Sequence, residues 1–113
     1  MNELTIIFKS LEEDTRLRIL ALLMEAGELC VCDLITVLQL PQSTVSRHLS
    51  HLKNAGWLQD RREGVWIHYS IVKQLGSLQQ SLLPTIRYFL QEQEIVKQDM
   101  ESLKERDKSS PCI

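Results

Sequence analysis

Apolar residues recur at helical spacing along most of this 113-residue chain, and one interval switches to strand alternation. Leu4, Ile7, Phe8 and Leu11 place a first helix within residues 2–13. Thr15 is a candidate cap for a second helix. That helix carries Leu17, Ile19, Leu20, Leu22, Leu23 and Met24, so apolar groups cover much of its circumference and it should be the most buried one. Gly27 closes it. A short third helix runs on Leu34, Ile35 and Leu38 and stops at Leu40-Pro41, because the residue before proline disfavours helix. Gln42 or Ser43 opens a fourth helix. Val45, Leu49 and Leu52 share one side of it, and Ser43, Arg47, Ser50 and Asn54 lie opposite. Thr44 and Ser46 flank that polar face, His48 borders the apolar side, and Gly56 ends the helix. From Trp57 to Ser70, Val65, Ile67 and Tyr69 alternate with Trp66, His68 and Ser70, which predicts a β-hairpin with its tip at Arg61-Arg62-Glu63-Gly64.

The remainder reads as helix, with a break or restart near Pro84. Leu82, Ile86, Phe89, Gln93, Val96, Met100 and Leu103 follow a heptad-like seam with one polar member. A single helix over residues 84–106 would run roughly 35 Å, longer than a small domain covers. A partner chain would bury its stripe. The expected homodimer interface is therefore Leu82, Ile86, Phe89, Val96, Met100 and Leu103, with Leu4 and Phe8 of the first helix beside it. The predicted fold is mainly α with a small β-hairpin wing: a winged helix-turn-helix with a long C-terminal dimerisation helix. Residues 1–106 form one DNA-binding and dimerisation domain, and 107–113, with Ser-Ser-Pro, form a flexible tail.

Charge sharpens this picture. Residues 1–42 hold three Lys/Arg against seven Asp/Glu. Residues 43–68 hold four (Arg47, Lys53, Arg61, Arg62) against two, together with all three histidines. A locally basic middle in an acidic chain suits a nucleic-acid footprint. Gln42, Ser43, Thr44, Ser46 and Arg47 are the expected groove-reading residues, since arginine grips guanine in two places and small hydroxyls adapt to either base. Lys53, Arg61 and Arg62 are the expected phosphate or minor-groove contacts. No apolar run approaches the ~20 residues of a membrane span, and no secretory signal pattern opens the chain, so a cytoplasmic protein is expected.

Three cysteines, two of them one residue apart, do not make a disulfide framework and read as reduced thiols. Cys30 stands where a serine or threonine N-cap normally stands, and Asp33 fills the acidic slot of a capping box. On a regular helix Cys30 and Cys32 would diverge. A cap residue is not helical, so Cys30 can turn toward Cys32, and both sit where orphan N–H groups favour thiolate. Soft thiolates select thiophilic ions. The alternative is a pair of small buried hydrophobes.

The motifs together resemble the ArsR family of small dimeric winged-helix repressors. The matching runs are Asp14 to Leu20, Gly27 to Leu34, Ser43 to Leu49 with Leu52-Lys53 and Ala55-Gly56, and Arg62 to Trp66 with Tyr69. The Leu-Cys-Val-Cys-Asp-Leu run is similar to the arsenite-responsive branch. That resemblance implies binding of trivalent arsenic or antimony, as arsenite or antimonite, by Cys30 and Cys32, with a third cysteine one helical turn on. Here that position is Ile35, which has no donor atom, and Cys112 is the one cysteine left to complete the site. The long C-terminal helix has no histidine, which argues against a zinc site of the related sensors.

The expected function is a homodimeric repressor of double-stranded operator DNA, with no intrinsic cofactor, released by a trivalent metalloid. It is not expected to be an enzyme. Two alternatives stay open: a winged-helix repressor whose cysteines sense oxidation, and a thiol-based metal-binding protein or redox enzyme. The last would need no DNA-reading face, and no general base is placed beside these thiols.

Overall fold

A computed structural model describes residues 1–106. Six helices and three short strands follow in the order α1 (Asn2–Ser10), α2 (Asp14–Ala26), β1 (Glu28–Cys30), α3 (Val31–Leu38), α4 (Gln42–Asn54), β2 (Leu58–Glu63), β3 (Trp66–Ile71), α5 (Ser77–Leu90) and α6 (Glu94–Glu105). The winged helix-turn-helix expected from the pattern is present. The tail expected over 107–113, including Cys112, lies outside the described residues.

The core forms where the apolar faces converge. Ile19, Leu20, Leu22 and Leu23 of α2 are fully buried against Leu34 of α3, Val45, Leu49 and Leu52 of α4, and Trp57. The second helix is thus the central one. Its start differs from expectation: the N-cap is Glu13, and Thr15 lies inside the first turn. Gly27 closes it at φ +85°, a conformation that side-chain-bearing residues avoid.

The wing is a three-stranded antiparallel sheet in the order β1-β3-β2, larger than the expected hairpin by one strand. Leu29 pairs with Tyr69 and Cys30 with His68, so the backbone leading into α3 is a strand of the wing's own sheet. The β2–β3 turn lies at Gly64-Val65, sharing only Gly64 with the expected tip, and Arg61 and Arg62 are strand residues paired with His68 and Ile67.

The C-terminal region departs most from expectation. One helix over 84–106 is replaced by two, α5 and α6, separated by the polar turn Gln91–Gln93. The helix does not break at Pro84, which sits inside α5. Proline there removes one backbone hydrogen bond, and both Pro84 and Gln80 are exposed, which leaves the Gln80 carbonyl open to hydration. The turn folds α6 back onto α2. Val96 is buried with Ala21 and Leu90, and Leu103 joins the main core. Val96 and Leu103, expected at a dimer interface, are therefore consumed within the protomer. Leu82, Ile86 and Met100 are half-buried against the same cores. Leu4, Phe8 and Phe89 stay exposed, joined by Ile6, Tyr88 and Ile95.

A buried ion pair fixes the fold-back. Arg18 of α2 grips Asp99 of α6 in two places, at 2.8 and 2.9 Å. Asp99 is 3% exposed. Leaving a carboxylate so buried without its arginine would cost about 3–5 kcal/mol. The hydrogen bond to Asp99 holds the Arg18 guanidinium above its ordinary pKa against the opposing effect of burial. At its far end α6 delivers Arg106 to Asp33, at 3.3 Å, beside the start of α3.

Candidate thiol sensor and nucleic-acid interface

The start of α3 is built by the capping box anticipated in the sequence. Cys30 is extended, at φ −69° and ψ 151°, and so stands outside the helix. Its N–H donates to Asp33 Oδ2 at 3.2 Å, and its Sγ accepts from the Cys32 N–H at 3.4 Å. This turns the Cys30 side chain back over the first turn, and the two sulfurs lie 2.9 Å apart. That separation is within the span of one bridging atom. Cys30 is buried and Cys32 half-buried. Among the described residues no cluster of three or more His, Cys, Asp and Glu side chains is arranged to hold a metal ion. Ile35, one turn on, lies beside the pair and carries no donor.

The sulfurs open on a cleft of about 230 Å³. One wall is Val31, Cys32 and Ile35; a second is Gln42 and Ser46 of α4; the third is Val65, Trp66, Ile67 and Tyr69 of the wing. Sequence reasoning named Gln42 and Ser46 only as base readers. The wing residues of the cleft were missed, although their alternation had already placed Val65, Ile67 and Tyr69 on one face.

The polar side of α4 lies in solvent. Gln42, Ser43, Arg47, Ser50 and Asn54 are exposed, and Thr44 and Ser46 are half-buried at its flanks. Val45, Leu49 and Leu52 anchor the helix from behind. Pro41 precedes it and the residue before that turn, Gln39, adopts the left-handed conformation at φ 55°, which reverses the chain between α3 and α4.

The expected phosphate contacts separate into engaged and unengaged groups. Lys53 is ion-paired with Asp60 at 3.1 Å. Arg61 grips Glu28 of β1 at 2.6 and 2.8 Å, reaching across β3, and also meets Glu63 at 3.0 Å. Arg61 holds the Glu28 carboxyl below the usual carboxylate range. This arginine ties the wing to the strand that ends in Cys30. Arg62 is exposed on the same strand, with its side chain on the opposite face of the sheet.

Residues 13–59 match the model of a bacterial regulatory protein family, the arsR family. Among solved structures, the antimony-specific transcriptional repressor AntR superposes with a TM-score of 0.65 at 34% identity, covering 80% of this chain and 79% of that one. The chain belongs to the arsR family. This is a family of regulators rather than enzymes, and other members bear out the fold. The homodimeric winged helix-turn-helix DNA-binding domain of a possible ArsR-family transcriptional regulator from Mycobacterium bovis superposes with a TM-score of 0.67 at 30% identity, covering 80% of this chain and 81% of that one. In sequence, the chain is 52% identical over 65 residues to the arsenical resistance operon repressor of Escherichia coli K12, covering 58% of this chain and 56% of that protein. The chain spans little more than half the length of the first curated relatives it matches. None of the described helices is long and apolar enough to cross a membrane.

Proposed function

We propose that this arsR-family protein is a dimeric transcriptional repressor that leaves its operator when trivalent arsenic or antimony binds Cys30 and Cys32. The observation that carries the proposal is the shared cleft: a sulfur pair 2.9 Å apart faces Gln42 and Ser46 of the exposed polar helix and the underside of the wing. The names of the relatives support the choice of ligand, being an arsenical resistance operon repressor and an antimony-specific repressor. The homodimeric state of the Mycobacterium bovis domain supports a dimer.

The chemistry is a ligand exchange. In the reduced protein, two hydroxyl groups of arsenous acid leave as water with the thiol protons of Cys30 and Cys32, and two sulfur–arsenic bonds form. The two protein sulfurs make the core of the site, and the third valence keeps a hydroxyl group or takes another thiol, Cys112 among the candidates. Closing the ring fixes the Cys30 backbone, which is at once a β1 residue paired with His68 and the cap of α3. The strain therefore enters the wing through the sheet and α4 through the α3–α4 packing. Two heads that must enter grooves about 34 Å apart tolerate little change in tilt. Induction is then a coupling free energy between the sulfur pair and the DNA face.

The DNA face is tested with the duplex that the unaltered protein selects from a random-sequence pool. Arg47→Ala is expected to weaken that complex by about 1–3 kcal/mol and to relax preference at one base position. Arg62→Ala should weaken all sequences alike and lower the salt dependence by about one counterion. Arg61→Ala should do less than Arg62→Ala, because its guanidinium is already shared between Glu28 and Glu63. Fluorescence anisotropy over a salt series reads all three. Unchanged affinity in both Arg47→Ala and Arg62→Ala would remove this face from the interface.

A further inference from the structure

Arg16 holds three parts of the molecule with one guanidinium. Its Nε donates to the Ser10 carbonyl at 2.8 Å and its Nη2 to the Lys9 carbonyl at 3.0 Å, in the last turn of α1, where the Lys9 carbonyl also accepts from the Glu12 N–H. Its Nη1 lies 3.4 Å from Nδ1 of His48, on the buried side of α4. Ser10 is itself buried: its hydroxyl accepts from the Trp57 indole N–H at 2.9 Å and donates to the Ile7 carbonyl. Trp57 is fully buried just before β2. The end of α1, the back of α4 and the root of the wing therefore meet at one polar node at the edge of an otherwise apolar core. Apolar packing tolerates small rotations of one helix against another. A forked cation with three fixed acceptors does not, because rotating it away costs charge-assisted hydrogen bonds on two helices at once, two of them to residues that are themselves buried, Ser10 and His48.

We infer that Arg16 is a positioning residue that sets the angle of the DNA-reading helix relative to α1, and so the relation between the two heads of the dimer. The inference rests on the DNA-binding reading above and on the exposed apolar residues of α1 lying at the dimer interface. His48 must present an unprotonated Nδ1 to accept from Arg16. Burial pushes its pKa down; Glu13 opposes this, and Arg16, Arg47 and His51 reinforce it. The contact is thus intact at neutral pH and is lost on acidification below the ordinary histidine value of 6.5.

The test compares the selected duplex, carrying two half-sites, with a fragment carrying one. Arg16→Ala is expected to lower affinity for the two-site duplex about tenfold or more while changing half-site affinity by less than about twofold, since only simultaneous engagement depends on the relation between heads. Sedimentation should show its dimer unchanged. His48→Leu should reproduce the loss. His48→Asn, which keeps an acceptor near the Nδ1 position and does not titrate, should restore two-site affinity and remove the part of the acid-induced weakening that the unaltered protein shows below pH 6.5. If Arg16→Ala does not fold, the two His48 variants carry the comparison alone. Equal loss on both DNAs, two-site affinity unchanged in His48→Leu, or an acid profile in His48→Asn identical to the unaltered protein would overturn the inference. An unaltered protein that selects no duplex at all would instead overturn the DNA-binding reading.

Discussion

Protein carrying Cys30→Ser and Cys32→Ser together is expected to hold its operator as tightly as the unaltered protein and to stay bound when arsenite is added. Serine keeps the local structure. It is a preferred N-cap, so the Cys32 N–H keeps an acceptor at position 30, and the Cys30 N–H still donates to Asp33. Neither cysteine lies on the exposed polar side of α4, so the DNA face is untouched. What is lost is the soft donor pair: oxygen ligands do not hold a thiophilic ion against water. Operator release monitored by anisotropy should shift from complete to absent, an effect larger than any single DNA-face substitution would produce. Either single variant should behave similarly, because one sulfur cannot close the ring. Peroxide in place of arsenite separates metalloid sensing from an oxidation sensor: release by peroxide and not by arsenite would favour the oxidation reading.

Phe89→Glu is expected to turn the dimer into monomers and to reduce operator affinity with it. Phe89 is 61% exposed and stacks edge-on against the equally exposed Tyr88, with ring centroids 5.2 Å apart. Leu4, Ile6, Phe8 and Ile95 add four more large apolar side chains in solvent. So many exposed apolar groups on so small a chain mark a surface that another molecule covers. At a two-fold interface a glutamate meets surfaces related by symmetry, so each dimer would bury two new charges at a cost of several kcal/mol. Phe89→Ala removes only contact area and should loosen the dimer by less. A monomer must pay separately for each head, so the affinity loss on two-site DNA should reach about 10²-fold or more. By contrast Val96→Ala should act on protomer stability and leave the association constant nearly unchanged, since Val96 is 3% exposed within the chain. Sedimentation at micromolar concentration distinguishes the two. An intact Phe89→Glu dimer would move the interface elsewhere.

The sensor and the DNA-reading helix were legible in the sequence because their signals are local. A cap and an acidic residue three positions on fixed the start of α3, whose end at Leu38 falls just short of the stop expected at Leu40-Pro41 because Gln39 turns left-handed, and side-chain periodicity fixed the two sides of α4. Strand β1 was not legible: three residues carry no alternation, and their pairing partner lies some forty residues away. The fold-back of α6 was hidden for a different reason. A heptad-like stripe records that a surface must be buried and does not say in which core. Gln91 to Gln93 has no glycine or proline to mark a turn, whereas Pro84, which has the stronger signal, lies within a continuous helix. The node of Arg16, Ser10, His48 and Trp57 gave no signal either, because polar contacts between distant elements leave no period in a chain.

The central claim is that the bound metalloid is held by the sulfurs of Cys30 and Cys32. X-ray absorption at the arsenic edge of the reduced Cys112→Ser protein with arsenite counts those ligands directly. The expected spectrum has two sulfur neighbours and one light atom, and both sulfurs disappear in the triple variant that also carries Cys30→Ser and Cys32→Ser. An arsenic shell of oxygen alone in the Cys112→Ser protein would contradict the claim.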